Sequence, residues 1–486
     1  MSMMSSAEAS ARPDSQVDGQ KIVRKCYWNV APWLWLMSFF TYLDRSNLSF
    51  AAFQFKADMN LSNSTYGLGA SLFFVGYCIG QTPSNIIMRY VGSKWLSILI
   101  IAWGIVSALG CLLKSGEGYL AQRVVLGLVE AGTFPGVVVH VTKFFTAAEV
   151  QRALSFTLTA LSISQVLGAP IGAGLIMMDG LRGIRGWRWL FLIEGLITII
   201  FGIIFYFGLA SKPAKASFLT PPERDWLVER QATELAARRK EDAFAGSMWG
   251  TFLNWRIYYI GVGWLLEETV RYGILYWTPL ILDGILTGNF NGKVVTGIHG
   301  TLREAAWYSA KLSLISAILF TLATIAIVAG AYSSSYFQER NIHMACFLTI
   351  SGIAFICVPT ALRRSGGIAG FAVLCIAGAS TFAGIAPCTS WVPALVHGPA
   401  VNTGFGIFNT MGTMGGIIGP YLIGVLSDRY SYAVAMSTLG AFNLAAALVF
   451  LTSPSGREKE STAREHRMQP SAQSADAQLV KPGGEP

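Results

Sequence analysis

Charged side chains stand near the centres of two long apolar runs in this chain. Asp44 and Arg45 are adjacent in the first run, and Glu130 lies in the fourth, with Arg123 seven residues earlier on the same helical face. An ionised side chain at the centre of a bilayer costs roughly 2.5–3.5 kcal/mol on insertion scales, so it needs a partner or a wet cavity. These residue types predict a site for an anion and for protons.

Asp44, Arg45 and Glu130 have the chemistry to couple the binding of an anion to the binding of protons. The Arg45 guanidinium presents the fork of donors that suits a carboxylate. Burial favours the neutral form of a carboxyl group and a nearby cation favours the ionised form, so an anion at Arg45 changes the proton affinity of Asp44 and Glu130. Two structural alternatives stay open: Asp44 could neutralise Arg45, although helix neighbours point about 100° apart, or Glu130 could pair with Arg123.

Two uncharged polar residues stand at a similar depth. Tyr77 is central in the second apolar run and Gln165 in the fifth. Polar side chains at one depth are expected along a pathway for a polar solute, whereas contact with lipid disfavours them. Each residue could instead satisfy a helix-packing contact.

A second charged group lies in the seventh run. Arg271 follows Glu267 by four residues and Glu268 by three, which makes an internal ion pair easy. The alternative is that Arg271, with Tyr272 beside it, is a second anion contact. In the tenth run, Pro387 and Pro393 predict an interrupted helix, a feature that often lines a transport site.

The composition predicts that these charged and polar side chains belong to a membrane protein. Of 486 residues, 53% are hydrophobic and 13% are charged, whereas an ordinary soluble domain is about 25% charged. A soluble enzyme, a disordered chain, a nucleic-acid-binding protein and a disulfide scaffold are excluded. The seven cysteines lack paired spacing, and the sequence has no P-loop, HExxH, nucleophile elbow or Rossmann motif. We therefore expect no enzyme, no metal site and no cofactor.

The fold class predicted is an all-α membrane protein with twelve helices in two six-helix halves. The predicted spans are about 33–55, 66–88, 95–113, 120–142, 154–176, 189–209, 256–282, 308–332, 344–362, 368–392, 401–426 and 431–452. Two equal halves are typical of secondary transporters with a central pathway.

The domain boundaries follow from the charge pattern. The predicted segments are a disordered tail 1–26, a first half 27–210, a charged linker 211–250, a second half 251–452 and a disordered tail 453–486. Lys and Arg are more frequent on the side of the two termini, which predicts that both are cytoplasmic. We expect the plasma membrane, a functional monomer, contact with lipid and no nucleic-acid partner.

Several motifs together resemble the anion:cation symporter family of the major facilitator superfamily. Those motifs are Tyr42-Leu-Asp44-Arg45-Ser-Asn47, Phe74-Val-Gly76-Tyr77, Arg123 to Gly136, Gly186 to Gly195, Trp277-Thr-Pro279 and Gly412 to Pro420. The resemblance covers about 27–452 and implies import of organic anions, commonly carboxylates, with protons or sometimes sodium, by alternating access. Glu267, Glu268 and Arg271 are unusual for that family.

The resemblance also implies residue roles. Arg45 would hold the substrate carboxylate, and Asp44 and Glu130 would be the proton-coupling pair. The remaining cavity residues would be Tyr77, Gln165, Ser390, Trp391 and Asn409. The same fold could instead serve a uniporter, an exchanger or a sodium-coupled transporter. A non-transporting sensor would need a larger soluble domain than the linker provides.

Overall fold

The structure is a computed structural model that describes residues 18–244, 251–288, 290, 302–337, 339–389, 391 and 400–453. Those residues form α-helices joined by short turns and 3₁₀ segments. The helices before the linker are α1 (Gly19–Asp58), α2 (Asn63–Val91), α3 (Lys94–Leu109), α4 (Gly116–Glu130), α5 (Thr133–Phe144), α6 (Ala147–Ile176) and α7 (Gly186–Gly208).

The linker and the second half add seven helices to the described part of the chain. They are α8 (Pro221–Phe244), α9 (Trp255–Thr287), α10 (Leu302–Phe337), α11 (Asn341–Ala383), α12 (Ile385–Thr389), α13 (Ala400–Arg429) and α14 (Tyr432–Leu451). Predicted span nine and most of predicted span ten fall in α11, which turns at Gly366, where a φ of +84° suits glycine.

Eight stretches of the described residues are long and apolar enough to cross a membrane. The predicted spans 33–55, 66–88 and 256–282 are not among them, although helices α1, α2 and α9 cover those residues. Helices α1 and α9 carry the charged groups singled out above, which lowers their mean hydropathy.

Two boundaries differ from the prediction. Helix α1 begins at Gly19 rather than after residue 26, because the Asp18 side chain accepts hydrogen bonds from the first turn and Ile22 and Cys26 are buried. The fourth span is broken after Glu130, the last residue of α4. The tenth span is interrupted at Gly384, between α11 and the short α12, and not at Pro387, which lies inside α12; Pro393 lies outside the described residues.

The charged linker contains a docked helix. Glu223 of α8 pairs with Lys25 at 2.6 Å, and Arg230 pairs with Glu149 at 2.8 Å. Burial raises the pKa of Glu149, but its bonds from Arg230 and from the Thr146 backbone outweigh that effect and leave the pKa below its usual range. The linker helix is therefore held against the starts of α1 and α6.

The chain packs as two compact units that differ from the predicted halves. Among the described residues, those within 1–244, 275–321 and 420–432 form the first unit, and those within 245–274, 322–419 and 433–486 form the second. The far ends of α9 and α13 and the first part of α10 therefore pack with the first half of the sequence.

Inside the first unit, the principal helix pairs are α1 with α6, α2 with α4, and α3 with α7. Glycines bring α2 and α4 into backbone contact: a methyl group on Gly127 would overlap the Phe73 carbonyl oxygen, and one on Gly76 would overlap that of Val124. This crossing fixes the separation of Tyr77 and Glu130.

We expect Gly127→Ala to lower the stability of the folded protein by about 1–3 kcal/mol, because α2 and α4 must move apart. Gly174→Ala is the matched control, since no described atom lies within 4 Å of a methyl group placed on that helical glycine. The thermal midpoint of the purified protein in detergent measures both. Equal midpoints for the two variants would contradict the close crossing.

Candidate functional site

The centre of the first unit holds a buried ion pair between α1 and α4. The Nη2 and Nε atoms of Arg45 each lie 2.5 Å from Oε1 of Glu130. The Arg45 side chain is 8% exposed and that of Glu130 is fully buried. Within the described residues, Oε2 of Glu130 has no hydrogen-bond partner. Glu130 therefore pairs with Arg45, an arrangement that neither sequence alternative contained.

Aromatic rings surround the guanidinium. Its Cζ atom lies 5.1 Å from the ring centroid of Tyr77, 5.2 Å from that of Phe73 and 5.4 Å from that of Tyr42. Rings at these distances attract a cation through their faces and exclude water. Arg45 is thus held by α1 and α2 in a buried, aromatic setting.

Asp44 has its own contacts, although it lies close enough to Arg45 and Glu130 to interact with their charges. Its carboxyl group interacts with the Ser107 hydroxyl of α3 and lies near Arg123, and the residue is 6% exposed. Asp44 and Arg45 therefore have different partners, as the 100° turn between helix neighbours predicts. The Arg123 guanidinium lies 4.9 Å from the ring centroid of Phe73, and its Nε and Nη2 atoms have no hydrogen-bond partner in the described part of the chain.

Gln165 of α6 is the other polar residue predicted in this unit. It is 2% exposed, and among the residues described neither its amide oxygen nor its amide nitrogen has a hydrogen-bond partner. A buried amide without partners is costly, and a solute could satisfy it.

Glu194 of α7 was missed by the sequence analysis except as part of a motif. It is 5% exposed and lies beside the Asn47 side chain and near Asp44. The rule applied to Asp44, a charge within an apolar run, would have found it. The first unit thus contains a third buried carboxyl next to the predicted pair.

The second unit holds the other predicted residues. Arg271 pairs with Glu268 through two hydrogen bonds, one of them 3.0 Å from Nε to Oε1, and its Cζ atom lies 4.5 Å from the Tyr272 ring centroid. Trp391 is 1% exposed in an apolar cluster and stacks on Phe450. Asn409 is partly buried on α13, and Ser390 lies outside the described residues.

A further buried cation lies at the far end of α1. Lys56 is 4% exposed, donates to Oδ1 of Asn63, and lies 5.8 Å and 6.0 Å from the ring centroids of Trp277 and Tyr66. Asp428 accepts from the backbone nitrogen of Ser64 at 2.7 Å. We call this group, which joins α1 and α2 to α9 and α13, the Lys56 cluster.

Direct contacts reinforce the Lys56 cluster. The Tyr66 hydroxyl donates to the Tyr276 carbonyl oxygen at 2.9 Å. The Trp277 indole donates to the Pro420 carbonyl oxygen at 3.0 Å. All of these residues belong to the first unit, so helices from both halves of the sequence meet here.

Comparison with known families decides the class of the protein. The model of the Major Facilitator Superfamily matches residues 34–396 and 285–482. The chain belongs to this superfamily. It is a multi-pass membrane transporter of the secondary type, not an enzyme, and the predicted fold class is confirmed.

Curated relatives are similar over most of the chain. Two proteins of Agrobacterium vitis named "Putative tartrate transporter" are each 31% identical, over 84% and 89% of this chain and 85% and 94% of their own lengths. The protein NicT of Pseudomonas putida, named a metabolite transport protein, is 29% identical over 83% of this chain and 87% of its own. The anion:cation symporter resemblance is compatible with these relatives.

Solved structures share the fold at low identity. A bacterial homologue of the lysosomal transporter Spinster matches with a TM-score of 0.68 at 15% identity, over 88% of this chain and 97% of its own. The xylose transporter XylE of E. coli matches with the same TM-score at 14% identity, over 91% and 99%. These likenesses establish the major facilitator fold.

The Arg271–Glu268 pair yields a prediction about stability. Arg271→Gln leaves Glu268 buried without its cation, and breaking such a pair costs about 3–5 kcal/mol. Arg271→Gln combined with Glu268→Gln should recover most of that loss, because no unpaired charge remains. Thermal midpoints of the two variants measure the difference, and a double variant no more stable than the single one would contradict it. A stable double variant without transport would favour a direct contact between Arg271 and the anion.

Proposed function

We propose that this transporter imports a small organic anion bearing a carboxylate, in symport with protons. The observation that carries the proposal is the Arg45–Glu130 ion pair, buried among the rings of Phe73 and Tyr77. The planar guanidinium group of an arginine matches the geometry of a carboxylate and binds it through two parallel hydrogen bonds. A carboxyl group bonded to that arginine is in a position to sense whether the substrate is present.

Competition for the Arg45 guanidinium supplies the coupling. Glu130 occupies the Nε and Nη2 donors of Arg45, which a substrate carboxylate also needs. Protonation of Glu130 removes its charge and weakens its hold on these donors, so the anion can take its place. Because the two binding events favour one another, the anion equally strengthens proton binding at Glu130.

Asp44 is the second proton-coupling residue of the proposal. Arg123 lies near it, and the two share the first unit with Arg45 and Glu130. In the first unit, Tyr77 and Gln165 are further proposed substrate-binding residues. In the second unit, the proposed substrate-binding residues are Ser390, Trp391 and Asn409, and the proposed second anion contact is Arg271 with Tyr272. The relatives named for tartrate make this dicarboxylate the first compound to test.

The proposed setting is the plasma membrane, with both termini cytoplasmic and the monomer as the working unit. The bias of Lys and Arg toward the side of the termini supports this orientation.

The decisive experiment is uptake into proteoliposomes of a panel of labelled monocarboxylates and dicarboxylates that includes tartrate. Each compound is tested with an inward proton gradient, with an inward sodium gradient and with neither. Accumulation that depends on the proton gradient is the expected result. Accumulation driven by sodium alone, or exchange without net accumulation, would contradict proton symport. Either result would leave carboxylate transport in place. No uptake of any carboxylate would overturn the proposal.

A further inference from the structure

Glu267 is a buried carboxyl group in the second unit, at the centre of α9. Its exposure is 0%. Neither of its oxygens has a hydrogen-bond partner among the residues that the structure describes. It therefore differs from Glu268, the next residue, which bonds to Arg271.

The cation nearest to Glu267 in sequence is already occupied. Arg271 forms two hydrogen bonds with Glu268, one from Nε to Oε1 and one from Nη2 to Oε2. The Cζ atom of its guanidinium group also lies over the Tyr272 ring. A bidentate pair of this kind satisfies one carboxylate fully. The Glu268–Arg271 pair is neutral as a whole, so Glu267 is the excess acid of the group.

Within the described ranges, the other elements packed around Glu267 bring no further charge to it. A methyl group placed on Gly384, at the break between α11 and α12, would lie 3.1 Å from Glu267 Oε1 and 3.1 Å from the Met344 Cε atom. Cys388 of α12 is the titratable group nearby from that side. Helix α13 meets α9 through glycines, with Gly415 and Gly419 against the backbone around Thr269.

An ionised carboxylate in these surroundings would be expensive. Removing an ion from water costs several kilocalories per mole unless a counter-charge and hydrogen bonds compensate. Near Glu267 the described residues provide an occupied arginine, a second carboxylate, a thiol and glycine backbone. The neutral acid is the form that this environment accommodates, and a proton is the ligand that makes it neutral.

We propose that Glu267 is a separate proton-binding site in the second unit, which binds and releases a proton during transport. This role rests on the proposed proton symport, but proton binding itself can be measured without any substrate. The proton passes between the Glu267 carboxyl group and water, and no other bond changes. The site lies beside Gly384, at the break between α11 and α12, and broken helices of this kind often line transport sites.

Infrared spectroscopy of the purified protein in lipid tests proton binding. The wild-type spectrum minus that of Glu267→Gln should contain a protonated-carboxyl band at neutral pH, and this band should disappear reversibly as the pH is raised. Glu149→Gln is the control and should remove no protonated-carboxyl band, since Glu149 is ionised in its pair with Arg230. Glu267→Asp should restore the band. A difference spectrum without the band, or a band that no pH removes, would overturn the proposal.

Proton stoichiometry tests the part in transport. Reversal-potential measurements in proteoliposomes give the number of protons that move with each tartrate, or with the best carboxylate of the panel. That number should fall by one in Glu267→Gln and stay unchanged in Glu267→Asp. An unchanged number in Glu267→Gln would refute the role in transport. A wild-type protein with no proton-driven uptake would instead refute the proposed function, and the infrared result would still decide whether Glu267 binds a proton.

Discussion

Arg45→Lys should lower proton-driven uptake of the carboxylate by about 10–100-fold. Lysine keeps the positive charge but loses the planar fork with which arginine binds a carboxylate through two parallel bonds. One lost charge-assisted hydrogen bond is worth about 1.5–3 kcal/mol, which gives this factor. Initial uptake rates in proteoliposomes with equal protein content provide the measurement.

The control for this substitution is Arg24→Lys, an identical exchange at an exposed position of α1. It should transport like the wild type. Arg45→Lys should also insert and unfold normally, because the ammonium group can still pair with Glu130. An Arg45→Lys protein that transports at the wild-type rate would show that the guanidinium does not hold the substrate.

Glu130→Gln should separate substrate movement from proton movement. Glutamine has the shape of the protonated acid and can still accept a bond from Arg45, so the anion site stays intact. Exchange of labelled for unlabelled substrate across the membrane should therefore persist. Accumulation driven by a proton gradient should be abolished, because the side chain can no longer bind or release a proton. Both assays use the same vesicles.

Two further variants sharpen that result. Glu149→Gln removes an acid at the start of α6 that bonds to Arg230, and it should leave both assays unchanged. Asp44→Asn should reproduce the Glu130→Gln defect if both acids take part in coupling. Equal loss of exchange and accumulation in Glu130→Gln would mark Glu130 as a structural acid. Retention of both would place the coupling elsewhere, with Asp44 tested next.

The sequence was sufficient to find the charges but not their partners. Asp44, Arg45 and Glu130 stand out because lipid penalises any charge, and that rule needs no coordinates. The Arg45–Glu130 bond joins residues 85 positions apart. It depends on the close crossing of α2 and α4 and on the end of α4 at Glu130. Helix periodicity places a residue on a face and does not say which neighbouring helix that face meets.

The second half of the sequence shows the same limit. The spacing of Glu267, Glu268 and Arg271 allowed two ion pairs on α9, and nothing in the spacing chose between them. The structure pairs Arg271 with Glu268 and leaves Glu267 beside Gly384 and Met344, a distinction made by helices more than 70 residues away in sequence. The cluster around Lys56 was also beyond prediction, since its members come from four helices and from both halves.

The Lys56 cluster would oppose the opening that the proposed transport by alternating access requires. Under that proposal, α1 and α2 would separate from α9 and α13 when this side of the protein opens, and the buried ammonium group would then regain its water. Each 1.4 kcal/mol by which these contacts favour the joined state slows their separation about tenfold. The turnover rate would then depend in part on residues outside the proposed anion site, and substitution of Lys56 would change how fast the protein works without changing which compound it transports.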